Sequence, residues 1–227
     1  MKNLISNFPN HISEAVANIK AANFKASTTE IHNVIITGLG GSGIGGTIVS
    51  ELAAPNATVP IVVNKDYMLP GFVNENTLVI ACSYSGNTEE TLSAVKTAMN
   101  KNAQLACISS GGELLDIAKS NDYNVITMTG GNPPRSMFGF SFSYLCFILD
   151  FYGIAKFDVI ANLEAASKLL LDENDTIKAE AEEIADKLKG KTAILYAISG
   201  GLGVASRWRQ QLNENAKMLA WEAEIPE

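Results

Sequence analysis

Five short apolar runs, each closing on glycine, serine or another small polar residue, recur through the first 130 residues, at 34–38, 59–64, 77–83, 104–109 and 124–130. Continuous apolar runs of this length suit strands covered on both faces, the condition of a parallel sheet. Amphipathic helical patterns lie between them at 44–54, 89–101 and 113–120. Strand alternating with helix predicts an α/β fold, a doubly wound parallel sheet flanked by helices.

A further stretch, 136–152, is apolar nearly all round and reads as a core or interface helix. Residues 161–189, rich in Ala, Leu, Glu and Lys, read as helices with exposed faces. A sixth apolar run at 192–199 leads into another Ser/Gly loop and a helix pattern, so a second unit starts as the first does, with room for one strand and one helix. The expected organisation is an N-terminal domain over 1–155, a helical connector over 156–190, and the start of a second, truncated domain over 191–227.

Composition removes several function classes. The 227 residues carry a net charge of −7, against the gathered Lys and Arg that a nucleic-acid surface needs. No apolar run approaches the roughly 20 residues of a membrane span, and the N-terminus lacks a signal-peptide core, which predicts a cytoplasmic protein. Cys82, Cys107 and Cys146 sit in or beside apolar runs without metal-ligand spacing, and His11 and His32 stand far apart, so no metal is expected.

Two loops concentrate the chemistry. The first strand runs into a glycine-rich segment, Gly38 to Gly46, containing Gly41 and Ser42; its amides suit an anion, or its glycines suit close packing of strand and helix. The third strand ends in CSYSGNTEETL, which sets Ser83, Ser85 and Thr88 around a turn before a helix. Hydroxyl donors and helix amides together hold a phosphate without a lysine, although Thr88 also suits a plain N-cap. Both loops fall at the carboxyl ends of strands, where open α/β sheets bind ligands. The segment from Gly38 to Gly43 also satisfies G-x-G-x-x-G with Asp66 downstream, so a dinucleotide fold is an alternative.

Gly40-Gly41-Ser42-Gly43, the serine loop from Ser83 to Leu92, Pro133-Pro134-Arg135-Ser136 and Asn213-Glu214-Asn215-Ala216-Lys217, in that order, resemble the bifunctional phosphoglucose/phosphomannose isomerases, a family of SIS-domain sugar isomerases. The resemblance implies that Ser42, Ser83, Ser85 and Thr88 bind the phosphate of a sugar phosphate. Gly41 and Arg135 would lie near the reacting end, and Glu214 would be the base that carries a proton between C1 and C2 through an enediolate. It implies interconversion of glucose 6-phosphate or mannose 6-phosphate with fructose 6-phosphate, no cofactor or metal, and a homodimer. It also implies a longer protein, because family members continue past this point to a His-Asn-Glu motif. A non-catalytic phosphosugar-binding SIS module is the competing expectation.

Overall fold

The computed structural model describes residues 1–226, so Glu227, the last residue of the expected second domain, lies outside the described residues. Contacts divide the chain into Met1–Ser167 and a second unit from Lys168 onward.

The first unit opens with helices α1 (Lys2–Ser6) and α2 (Phe8–Ala21). It then alternates β1 (Asn33–Thr37), α3 (Gly40–Ala53), β2 (Ile61–Asn64), β3 (Thr77–Ser83), α4 (Glu89–Asn100), β4 (Gln104–Ser109), α5 (Gly112–Ser120) and β5 (Asn124–Thr127). A 3₁₀ turn, Pro134–Ser136, leads into α6 (Phe138–Phe151). The five strands form one parallel sheet in the order β2-β1-β3-β4-β5. All seven residues of β3, at the centre, are buried, as the unbroken apolar run predicts.

Alternation of side chains splits the core between the two faces of the sheet. Ile35, Val79, Ala81, Leu105 and Cys107 pack with Leu92 and Val95 of α4 and Leu114 of α5. On the other face α3 lies over β1, and α6 packs on α2 and α3. There Gly46 approaches the sheet so closely that a Cβ would stand 2.8 Å from Cγ2 of Ile36. Helices thus cover both faces.

α3 begins four residues before the sequence pattern puts it, so Gly41 to Gly46 are helical rather than loop. Glycine's low helix propensity hides this start, and tertiary packing overrides the propensity. α7 (Val159–Asp172) also departs from the expected division. Its first half belongs to the first unit, where Ser167 Oγ donates to Pro9 O at 2.8 Å and Lys20 pairs with Glu164 at 2.7 Å.

The second unit holds the end of α7, then α8 (Asn174–Leu188), β6 (Ala193–Ile198), α9 (Leu202–Gln211), a π-helical turn (Leu212–Ala216) and β7 (Ala220–Ile225). β6 and β7 pair in parallel from Ala193↔Ala220 to Ile198↔Ile225, giving a βαβ unit with one strand more than the sequence pattern allows. β7 escapes notice because AWEAEI carries two glutamates. One of them, Glu222, is satisfied by accepting from Ser206 Oγ at 2.8 Å and by pairing with Arg209.

Candidate functional site

The order 2-1-3-4-5 reverses direction between β1 and β3, and the loops leaving those strands flank a crevice at their carboxyl ends. Both sequence-predicted loops stand there. Thr37 pairs with Ala81 in register, so Gly38 is level with Cys82, and a Cβ on Gly38 would meet Cys82 O at 2.6 Å and Ser42 Cβ at 3.3 Å. The glycines therefore bring the two loops against each other.

The first turn of α3 closes through Ser42 N and Gly43 N, which donate to Leu39 O at 3.0 and 3.1 Å. Gly43 must be glycine, because a Cβ would stand 2.4 Å from Gly38 O. Gly41 faces the turn that carries Arg135, since its Cβ would lie 3.4 Å from Pro134 O and 3.6 Å from Arg135 Cα. Gly41, Ser42 and the turn that carries Arg135 thus lie together beyond the carboxyl end of β1. Beneath them burial pushes the Cys82 thiol up to about 12, against the smaller opposing effect of a hydrogen bond with Ser42. Such a thiol is neutral and no nucleophile. Cys107 and Cys146 are likewise pushed up to about 12 by burial.

The second loop is built around Ser83, whose buried hydroxyl lies 2.8 Å from Thr88 Oγ1 and accepts from Gly86 N at 3.1 Å. Thr88 occupies the N-cap position of α4, yet its side chain makes no cap hydrogen bond. The hydroxyl turns to Ser83 instead, and the amides of the first turn are left without a side-chain acceptor, the arrangement that favours an anion. Ser85 is exposed at the tip of the loop, its Oγ accepting from Asn87 N at 3.2 Å. Glu89 and Glu90 lie in the same first turn and oppose an anion electrostatically.

Sequence reasoning missed the residues that hold this loop in place. Tyr84 OH donates to Thr129 O at 3.1 Å and accepts from Asn132 N at 2.9 Å, which ties the loop to the segment leading to Arg135. Asn87 Oδ1 accepts from Glu113 N at 2.9 Å, capping α5 from outside, and Ser110 Oγ donates to Tyr84 O at 2.6 Å. The signal was the same motif, SYSGNT, of which only the hydroxyls were used.

Glu214 belongs to the second unit, exposed on the π-helical turn, which Lys217 closes with φ of 57°. A widened turn of this kind re-aims side chains and recurs at functional sites. Burial lowers the basicity of Arg207 in α9, while the charge of Glu214 favours its protonated form. With the amide of Gln211 turned to present its oxygen, both terminal nitrogens of Arg207 donate to it at 2.9 Å. Among the described residues no group of three or more His, Cys, Asp or Glu is placed to hold a metal ion, and no helix is long and apolar enough to cross a membrane.

The family model for the SIS domain matches residues 29–152, the stretch that holds the whole five-stranded sheet. The chain belongs to the SIS-domain family. A second model, the bacterial phospho-glucose isomerase C-terminal SIS domain, matches residues 177–227. The bifunctional phosphoglucose/phosphomannose isomerase of Caldicellulosiruptor bescii is 38% identical over 225 residues, covering 96% of this chain and 66% of the relative. The D-glucosamine-6-phosphate 4-epimerase of Sulfolobus acidocaldarius is 35% identical over 192 residues, covering 84% of this chain and 59% of the relative. The chain therefore spans less than two thirds of the length of these relatives. Among solved structures, the C-terminal domain of glucosamine-fructose-6-phosphate aminotransferase from Francisella tularensis superposes with a TM-score of 0.72 at 15% identity, covering 99% of this chain and 71% of that one, a likeness of fold. The SIS membership and the strand order together set aside the dinucleotide reading, whose usual order is 3-2-1-4-5-6.

Proposed function

We propose that this chain carries the sugar-phosphate site of an aldose-ketose isomerase acting between glucose 6-phosphate or mannose 6-phosphate and fructose 6-phosphate. The observation that carries the reading is the Ser83–Thr88 hydroxyl pair at 2.8 Å under an α4 N-terminus that no side chain caps. Ser42, Ser83, Ser85 and Thr88 donate to the phosphate oxygens, and the first-turn amides of α4 add their partial positive charge. Arg135 and Gly41 lie at the reacting end, where a permanent cation stabilises the enediolate oxygens. Glu214 takes the proton from one carbon and returns it to its neighbour. The reading includes a cytoplasmic homodimer with no metal or cofactor. The mixed naming of the relatives supports the phosphosugar more firmly than the reaction, since one of them is an epimerase.

Calorimetry with fructose 6-phosphate tests the binding half. Ser83→Ala is expected to weaken binding by about tenfold or more, the range of a charge-assisted hydrogen bond. Equal affinity in the variant would remove the serine loop from the site. For the chemical half, exchange of the substrate C1 and C2 protons with heavy water should fall by roughly 10² to 10⁴ in Glu214→Gln at near-normal binding. A sensor module would bind the sugar phosphate without exchange in either form.

A further inference from the structure

The serine loop is neutral, and the helix that receives the anion begins with Glu89 and Glu90. A doubly charged phosphate there gains from compensating charge outside the loop, because hydroxyls and amides alone must outweigh two nearby carboxylates.

Lys65 follows the last residue of β2 directly. Thr37 pairs with Asn64, and Gly38 N donates to Asn64 O at 3.3 Å, so Lys65 stands level with Gly38, which is in turn level with Cys82 across the switch point. Adjacent strands lie about 4.8 Å apart, so roughly 10 Å separates the backbones of Lys65 and the serine loop, within combined reach of a lysine side chain and a bound phosphate. The side chain already leans that way. Its Cε lies 3.8 Å from where a Cβ on Gly43 would be, so the aliphatic stem reaches the first turn of α3. A side chain on Gly43 would crowd that path.

Two lysines on α4 and just after it are engaged. Lys96 pairs with Glu113 at 2.7 Å, and Lys101 donates to Gly71 O and Val73 O. Lys65, exposed, has no ion-pair partner among the described residues.

We propose that Lys65 is a further ligand-binding residue of this site, its ammonium supplying the positive charge that selects a phosphorylated sugar over a neutral one. The proposal rests on the sugar-phosphate reading of the serine loop. It assigns Lys65 to the phosphate group and leaves Arg135 to the reacting end.

Calorimetric titration with fructose 6-phosphate and with inorganic phosphate, at 50 and 300 mM salt, compares the native chain with Lys65→Met, Lys65→Arg and Ser83→Ala. Lys65→Met is expected to bind both probes about tenfold more weakly at low salt, the lower end for a charged hydrogen bond at an exposed position. Its affinity should also depend less on salt, because one screened attraction is gone. Lys65→Arg should bind within about threefold of the native chain, since the charge is kept. Native affinity and native salt dependence in Lys65→Met, with binding weakened in Ser83→Ala, would overturn the role of Lys65 while leaving the serine loop in place. If the native chain binds neither probe, the sugar-phosphate reading fails and the proposal with it. Lys65 is a surface side chain, so an unchanged melting temperature in the variants confirms that binding alone is read.

Discussion

Strand β3 buries all seven of its residues, whereas β6, read from an equally apolar run, leaves Ile194, Tyr196 and Ile198 exposed at 57, 61 and 76%. The two strands differ in what surrounds them. β3 has β1 and β4 on either side and helices over the sheet, while β6 has β7 along one edge and α9 packed on the pair. An apolar run therefore records the cover a strand is selected for, and only the first unit displays that cover. The candidate site residues divide in the same way. The loop after β3 is laced by Ser83, Tyr84 and Asn87, whereas Glu214 stands exposed on a widened helical turn.

The largest expected effect breaks this comparison if it is equal on both sides. Ile80, fully buried in β3, loses packing on every side when cut to alanine, at a cost of about 4 kcal/mol. Ile198→Ala, on the open face of β6, should cost less than about 0.5 kcal/mol. Urea titration of the whole chain, with amide exchange resolved to β3 and β6, reads both. Similar losses would mean that β6 is covered in solution by something its own unit does not supply.

A pair of glycines sharpens the contrast at the next size. Gly86 and Gly200 both have left-handed backbone, at φ of 71° and 83°. A Cβ on Gly86 would lie 1.7 Å from Gly111 O, while a Cβ on Gly200 meets nothing within 4 Å. Gly200→Ala should therefore cost only the conformational penalty, about 1 kcal/mol. Gly86→Ala adds displacement of the neighbouring loop and should reach about 3 kcal/mol, with loss of fructose 6-phosphate binding. Native binding by Gly86→Ala would show that the serine loop does not depend on its clasp with the β4–α5 loop.

How legible all this is from sequence follows the same division. The five strands of the first sheet announce themselves because burial on both faces demands unbroken apolar runs. The hydroxyls of the serine loop are legible as candidates because a phosphate site calls for their type and spacing. The early start of α3 is not, because its glycines answer to close neighbours, Gly38 O and Ile36, that only the fold supplies. β7 is hidden by charges whose partners, Ser206 and Arg209, lie on another element. Thr88 shows the limit most clearly. Position makes it the N-cap of α4, and only the structure turns its hydroxyl to Ser83.

The smallest expected effect is a difference in acid sensitivity. Both histidines of the chain, His11 and His32, lie in the first unit, and none lies in the second. His11 is buried against the Phe140 ring, with centroids 5.2 Å apart, and its Nδ1 has no hydrogen-bond partner. Burial lowers its pKa below the ordinary 6.5, while the charge of Glu14 and a hydrogen bond with the Ser136 backbone pull weakly the other way. Between the lowered folded value and 6.5, the unfolded chain binds more protons at this residue than the folded chain does. The stability associated with neutral His11 is therefore complete above pH 6.5 and falls as the pH drops from there through the folded value. Amide exchange at pH 7.0 and 5.5, corrected for the intrinsic rate, should show protection falling in α2 and α6 and holding in β6. His11→Gln stays neutral throughout and should flatten the dependence in α2 and α6. An unchanged slope in that variant would assign the acid sensitivity to other groups and leave the two units alike in this respect.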